Sequence, residues 1–285
     1  MEKTPVEITV VGKDHEGVVA GFTNFIFQKG GNIEKINQNV VKGLFGMYLE
    51  ASFTQKIDAK KFDHEVQDLA KSLKMEVNTH HEAIRKKRVA VLVTKEPHCL
   101  KPLLEARAKN RLRGEISVII GTENALSSLA KRSKIPFVLV NEKDQSEAEE
   151  KILDIIKRYN IDLIVLARYM RILSPNFVWR YPNRIINIHP SLLPAFPGAY
   201  AYVQAYERGA KIVGCTAHYV TEDLDQGPII FQDAFAIDAH ETVESLKRKG
   251  QKIEARTLLE AVKMHLEGRL EVYWGKVHIK PKRPR

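Results

Sequence analysis

From residue 89 onward, short runs of Val, Ile and Leu recur at 89–94, 116–120, 137–140, 162–166 and 184–188, separated by amphipathic stretches of helical period. A run such as DLIVLA at 162–167, apolar at nearly every position, suits a strand covered on both faces. Strands spaced by helices cross over and run parallel. The predicted architecture is therefore α/β with an open, mostly parallel sheet, extended by strands at 211–220 and 228–237 and a long helix over 242–267. Sheets of this kind hold ligands beyond the carboxyl ends of their strands.

The residues before 85 follow another pattern. Residues 5–12 read as a strand, 16–29 as a helix closed by Gly30 and Gly31, 33–41 and 44–55 as strands joined across Lys42 and Gly43, about 60–73 as a helix and 75–82 as a strand. The order βαββαβ makes a small domain, 1–84, of its own. Arg85 to Arg88, short and basic, reads as a linker to a second domain over 89–285. No repeat relates the two halves.

Charge and cysteine content narrow the partners. The 285 residues carry a formal charge of +10, much of it in RKKR at 85–88 and KPKRPR at 280–285, which suit solvated surface and small anionic partners. Zinc-finger spacing, an aromatic RNA-binding strand and a helix-turn-helix are all missing, so no nucleic-acid partner is expected. MEKTPVEITV has none of the marks of a signal peptide, and no apolar run reaches membrane-spanning length. With only Cys99 and Cys215 present, the expectation is a cytoplasmic protein without membrane contact.

Two stretches carry polar groups with chemical potential. In NIHPSLLPAFPG, 187–198, Asn187 and His189 are two apart at a strand end and so emerge on one face, while Pro190, Pro194, Pro197 and Gly198 stiffen the loop that follows. In HYVTEDLDQGPII, 218–230, His218 ends one strand, Gly227 and Pro228 introduce the next, and Glu222, Asp223 and Asp225 occupy the turn. Taken alone, that turn suits a solvated acidic hairpin. His189, His218 and Asp225 are also of metal-ligating type, but no short ligand spacing accompanies them, and no metal is expected.

VLARYMRILSPNFVWRYPNRIINIHPSLLPAFPG followed by AHYVTEDLDQGPII resembles the catalytic domain of enzymes that handle the formyl group of 10-formyltetrahydrofolate. The resemblance covers residues 89–279, and its specific mark is Asn-x-His with an Asp thirty-six residues after the His. It implies a Rossmann-like formyltransferase-type sheet, Asn187, His189 and Asp225 as the catalytic trio, and folate contacts from Met170, Arg171, Leu173, His218, Val220, Glu222 and Leu224. Backbone groups over 220–224 would meet the pterin, and Arg171 a glutamate-tail carboxylate. 10-Formyltetrahydrofolate is then the substrate, with no tightly bound cofactor. The leading βαββαβ unit resembles an ACT domain, a ferredoxin-like fold. That implies a homo-oligomer and a small amino-acid effector, glycine or methionine, near Asp14, Gly17, Val18 and Asn32. An ACT domain joined to this catalytic domain resembles the formyltetrahydrofolate deformylases, hydrolases of one-carbon metabolism that release formate and tetrahydrofolate and bear on purine supply.

The chemistry of the trio fits that expectation. Attack on an N-formyl carbon places negative charge on oxygen, which the Asn187 amide and a protonated His189 would stabilise. Asp225 would pair with the imidazolium and accept a proton from the attacking water.

The acceptor is the finer question. Related transferases follow their first strand with a Gly-rich phosphate loop, whereas VTKEPHCLKPLL, 93–104, contains no glycine, offers only Lys95, and through TKEPHCL resembles the deformylase branch. Water is the expected acceptor. His189-Pro190-Ser191-Leu192 is nearer the transferases, and GAYAYVQAYERG at 198–209 lacks the pattern expected after the glycine, so transfer to an amine such as glycinamide ribonucleotide stands as the alternative. A methionyl-tRNA formyltransferase would need a further RNA-binding domain, for which the stretch after 242–267 leaves no room. A folate-storing sensor would not need the complete trio.

Overall fold

The computed structural model describes residues 4–81, 85–196, 198, 200–238 and 240–281; Pro197, residues 82–84 of the first domain and 282–285 of the basic tail lie outside the described residues. The chain divides into two compact units, 1–84 with 174–182, and 85–173 with 183–285.

Unit 1 runs β1 (Thr4–Lys13), α1 (Val18–Gln28), β2 (Gly31–Val41), β3 (Leu44–Phe53), α2 (Ala59–Ser72) and β4 (Met75–His81), giving the expected βαββαβ order. Its sheet is antiparallel in the order β2-β3-β1-β4. Alternate residues Val6, Ile8 and Val10 of β1 and Phe45, Met47, Leu49 and Ala51 of β3 turn one face inward. Against it α1 places Val18, Phe22 and Ile26, and α2 places Phe62, Val66 and Ala70, each set four residues apart and so on one helical stripe. Asp58 starts α2 by accepting from the backbone N–H groups of Lys60 and Lys61.

Unit 2 continues with β5 (Lys87–Val93), α3 (Leu100–Ala108), β6 (Gly114–Gly121), α4 (Ser127–Arg132), β7 (Phe137–Leu139), α5 (Gln145–Arg158) and β8 (Leu163–Leu166). After α6 (Pro175–Val178), which is counted with unit 1, come β9 (Ile185–His189), α7 (Ala201–Glu207), β10 (Ile212–Tyr219), β11 (Ile229–Ala236), α8 (Val243–Leu266), β12 (Leu270–Tyr273) and β13 (Lys276–Ile279). Within unit 1, Arg180 just beyond α6 donates to Glu76 of β4 at 2.6 Å.

The seven-stranded sheet has the order β11-β10-β9-β8-β5-β6-β7, parallel from β9 to β7, with β10 and β11 antiparallel. From β5 the chain builds outward through β6 and β7, then returns to lay β8 on the other side of β5. The order therefore reverses between β5 and β8, the position at which open α/β sheets form a ligand crevice. No helix among the described residues is long and apolar enough to cross a membrane.

Two local features depart from the sequence reading. Lys87 and Arg88, read as linker, are already part of β5, and Arg85 is fixed by its guanidinium on the buried Asp162 carboxylate at 2.7 and 3.0 Å, which also accepts from the Arg88 backbone N–H. The basic run is held because one buried carboxylate needs those donors. The hairpin of β12 and β13 follows α8 where no strand was expected. Its Trp274 is 97% exposed, and four-residue strands leave little period to read.

Candidate active site

β9 and β10 bring three polar side chains to one face. Strand alternation puts Asn187 and His189 on the same side of β9, and the antiparallel register sets His218 opposite Asn187 and Thr216 opposite His189. Asp225 comes from the turn between β10 and β11. That turn folds so closely that a Cβ on Gly227 would lie 1.7 Å from the Tyr219 carbonyl oxygen, which reserves the position for glycine. Asp225 itself has φ 57°, a region that Asp enters more readily than most residues, and its carboxylate is aimed back at the strand ends.

The hydrogen bonds assign the protons. A backbone carbonyl only accepts, so His218 Nδ1–H donates to Tyr219 O at 2.9 Å, and Nε2 is left to accept from the Asn187 amide at 3.2 Å. Burial lowers the His218 pKa, outweighing its hydrogen bond to Tyr219 and the nearby Asp225, so the ring is neutral as that pattern requires. Asn187 thereby keeps a second N–H for another acceptor. His189 Nε2–H donates to Phe196 O at 2.9 Å, and Nδ1 lies 3.2 Å from Asp225 Oδ2. With Nε2 already a donor, a proton must lie between Nδ1 and Oδ2, since a ring lone pair facing a bare carboxylate would be repulsive. The Gly198 N–H donates to the same oxygen at 3.0 Å. Asp225 Oδ1 is 3.7 Å from His218 Nε2, beyond hydrogen-bonding distance, and keeps accepting capacity.

A cleft of about 330 Å³ opens over this cluster. Asn187, His189 and Asp225 line it, together with Met170, Arg171, Leu173, His218, Val220, Glu222 and Leu224, so all ten residues singled out in the second domain meet there. Met170, Ile172 and Leu224 are more than half exposed, an apolar rim beside polar groups. The 168–173 loop is fixed by Met170 N–H on Thr94 Oγ1 at 3.2 Å, by the Gln145 amide on Ile172 O at 3.0 Å and by Arg171 on Glu142 O at 2.9 Å. The Val220 N–H is bonded to Ile185 O at 2.9 Å, because the β9–β10 pairing runs one residue beyond the strand. Sequence reasoning missed the Gly198 N–H and the Phe196 carbonyl. Both are backbone groups, and residue type carries no sign of them.

The residues singled out in unit 1 do not assemble within one chain. Gly17 takes φ 87° at the start of α1, Val18 is buried, and the Asp14 N–H bonds Gly43 O, all at the far end of β1. Asn32 pairs with Ser52, which pairs with Pro5 at the near end, roughly 30 Å away along the strand. The cause is α1, which returns the chain to the starting end of the sheet before β2 begins.

Among the described residues, His98, Cys99 and Glu254 offer ligand atoms within 4.8 Å of one another. Glu254 is already bonded to His98 at 3.0 Å and to Tyr202 at 2.9 Å, and the Arg168 guanidinium lies 3.8 Å away, so the positive charge a metal would bring is supplied by the chain. Burial raises the Cys99 pKa well above its usual value, so the sulfur is a neutral thiol beside this ion-paired cluster.

Comparison with known proteins agrees with this geometry. The formyl transferase family model matches residues 87–262. The formyltetrahydrofolate deformylase of Bacillus subtilis (strain 168) is 42% identical over 282 residues, covering 92% of this chain and 89% of its own. The crystal structure of a formyltetrahydrofolate deformylase from Pseudomonas syringae pv. tomato str. DC3000 superposes with a TM-score of 0.68 at 32% identity, covering 98% of this chain and 95% of that one. Glycinamide ribonucleotide transformylase 1 from Symbiobacterium toebii gives a TM-score of 0.66 at 34% identity over 94% of its chain, but reaches only 68% of this one. The match to deformylases thus extends through both units, and the chain belongs to the formyltetrahydrofolate deformylase family, its second unit being of the formyl transferase type.

Proposed function

We propose that the protein hydrolyses 10-formyltetrahydrofolate to formate and tetrahydrofolate in the cleft over Asn187, His189 and Asp225. The observation that carries this reading is the pair of matched contacts, Asn187 on a neutral His218 and His189 on Asp225, at the floor of one cleft. The apolar rim of Met170, Ile172 and Leu224 suits a flat pterin, and Arg171 a carboxylate of the glutamate tail.

In this reading water adds to the formyl carbon and gives its proton to Asp225 through Oδ1. The oxygen that gains negative charge accepts the second N–H of Asn187. It also draws the His189 Nε2–H away from Phe196 O, since an oxyanion is a stronger acceptor than a peptide carbonyl. The C–N10 bond then breaks, and N10 takes a proton from the Asp225–His189 pair. One water is consumed; the products are the N10 amine and formic acid, which loses its proton to solvent as formate.

Unit 1 acts in the same reading as an ACT-like regulatory domain over 1–84. Its Asp14–Val18 turn and Asn32 lie at opposite ends of the sheet, so a shared glycine or methionine ligand requires two copies and hence a homo-oligomer. A cytoplasmic location suits two cysteines that are both buried and free. The test is to mix the protein with 10-formyltetrahydrofolate in the absence of any amine and follow formate. Immediate release is expected. A lag ended only by glycinamide ribonucleotide would establish transfer instead, and binding without turnover would establish a sensor.

A further inference from the structure

His189 heads a row of side chains that runs across three strands. The register sets Thr216 of β10 opposite His189 of β9, and Gln232 of β11 opposite Thr216, so all three project from one face of the sheet. The Thr216 hydroxyl gives its proton to Ser191 O at 2.7 Å and accepts two, from the Leu193 N–H at 3.0 Å and from the Gln232 amide at 2.9 Å. One donor and two acceptor sites are all that a hydroxyl has, and Thr216 is fully buried, so bulk solvent does not compete for them. The second N–H of the Gln232 amide meets Leu193 O at 3.1 Å, so the Leu193 backbone is held by its N–H and its carbonyl alike. Further along the same loop the Ser191 hydroxyl donates to Ala195 O, and the next carbonyl, Phe196 O, receives the His189 Nε2–H. Packing holds this loop incompletely. A cavity of about 80 Å³ is shared by Ser191, Leu192, Ala195 and Phe196 of the loop and Tyr202 and Ala205 of α7, and atoms that face a void lose contacts on that side.

We propose that Thr216 is a positioning residue of the hydrolysis: its hydroxyl fixes the 190–196 loop, and with it the carbonyl that keeps the His189 Nε2–H aimed until the oxyanion draws it away. Thr216 does not line the cleft, so it acts only through the loop. Without the hydroxyl, Ser191 O and the Leu193 N–H would each be left buried without this partner, and the loop would have to move to satisfy them. A displacement of about 1 Å at a supporting group is enough to lower a rate by one to two orders of magnitude. Gln232 tightens the same hub from the edge strand, where it is exposed. The inference rests on the hydrolytic reading and deepens it, since it names what holds the imidazole ready.

The experiment measures amine-free formate release and, in protein labelled with ¹⁵N-histidine, solvent exchange of the His189 Nε2–H, whose signal is assigned by its loss in His189→Asn. Thr216→Val keeps the shape without the hydroxyl. It is expected to lower kcat about tenfold with KM within a few-fold, and to speed exchange of the Nε2–H at least about tenfold. Thr216→Ser, which keeps the hydroxyl, should stay within about twofold of wild type in both. Unaltered exchange or a wild-type kcat in folded Thr216→Val would overturn the proposal, as would a Thr216→Ser protein as impaired as Thr216→Val. Should Thr216→Val fail to fold, Gln232→Met, which removes two donors at an exposed position, should lower kcat and speed exchange in the same direction, and the absence of either change would overturn the proposal. No amine-free formate from the wild type refutes hydrolysis itself, whereas unaltered exchange in Thr216→Val, which is read without turnover, refutes only the role of Thr216.

Discussion

Asp225 and Glu254 each bury a carboxylate against an imidazole in the same unit, but their surroundings differ in two respects. Asp225 stands in a turn at φ 57°, lines the cleft, and keeps Oδ1 beyond hydrogen-bonding distance of its nearest imidazole. Glu254 stands inside a 24-residue helix with both oxygens bonded, one to His98 and one to Tyr202, and it does not line the cleft. The first arrangement leaves accepting capacity beside a space that a substrate can enter. The second uses that capacity within the protein and leaves only a fixed charge. Burial therefore does not by itself distinguish a reacting carboxylate from a placing one; the number of satisfied oxygens and access to the cleft do.

That contrast can be broken in several ways. The largest effect is expected from Glu254→Ala, which strands His98 and Arg168 without their buried partner and should cost about 3–5 kcal/mol of stability in urea denaturation; a loss below about 1 kcal/mol would mean that the glutamate is not holding its neighbours. Asn187→Ala should instead leave the denaturation curve nearly unchanged and lower kcat about 10²–10³-fold with KM within a few-fold, the result of losing a donor used only in the transition state. Tyr202→Phe removes one hydrogen bond from Glu254 and should cost about 1–2 kcal/mol of stability, with little change in kcat.

The smallest effect concerns pH. The His218 pKa is lowered in the folded protein by burial, so the unfolded chain binds this proton first as pH falls. Its stabilising contribution is present above about pH 6.5 and is lost progressively below that, down to the folded value. Thermal melting between pH 5 and 8 should show this slope, and His218→Gln should flatten it. An unchanged slope in the variant would place the proton elsewhere.

Much of this was legible in the sequence. The period-two strands of unit 1 and the continuous apolar strands of unit 2 stand out because burial on one face or two sets the pattern. Asn187 and His189 could be placed on one face by counting, and Asp225 by its motif. What escaped was anything formed by backbone or by long-range packing. The Gly198 N–H on Asp225 and the Phe196 carbonyl on His189 have no side-chain signature. Glu254 sits in a helix rich in Lys, Arg and Glu, where an acidic residue looks solvated, and only its contact with His98, 156 residues earlier, shows it to be buried. The separation of Asn32 from Asp14 likewise follows from strand direction, which βαββαβ spacing alone does not make visible.

Water activation by Asp225 is read out by a single turnover of 10-formyltetrahydrofolate in ¹⁸O-labelled water without amine, run on wild type and on Asp225→Asn. Wild type should yield formate carrying one solvent oxygen, while the variant binds the substrate comparably and releases labelled formate about 10²–10⁴-fold more slowly. Labelled formate from Asp225→Asn at the wild-type rate would contradict the assignment of water activation to this carboxylate.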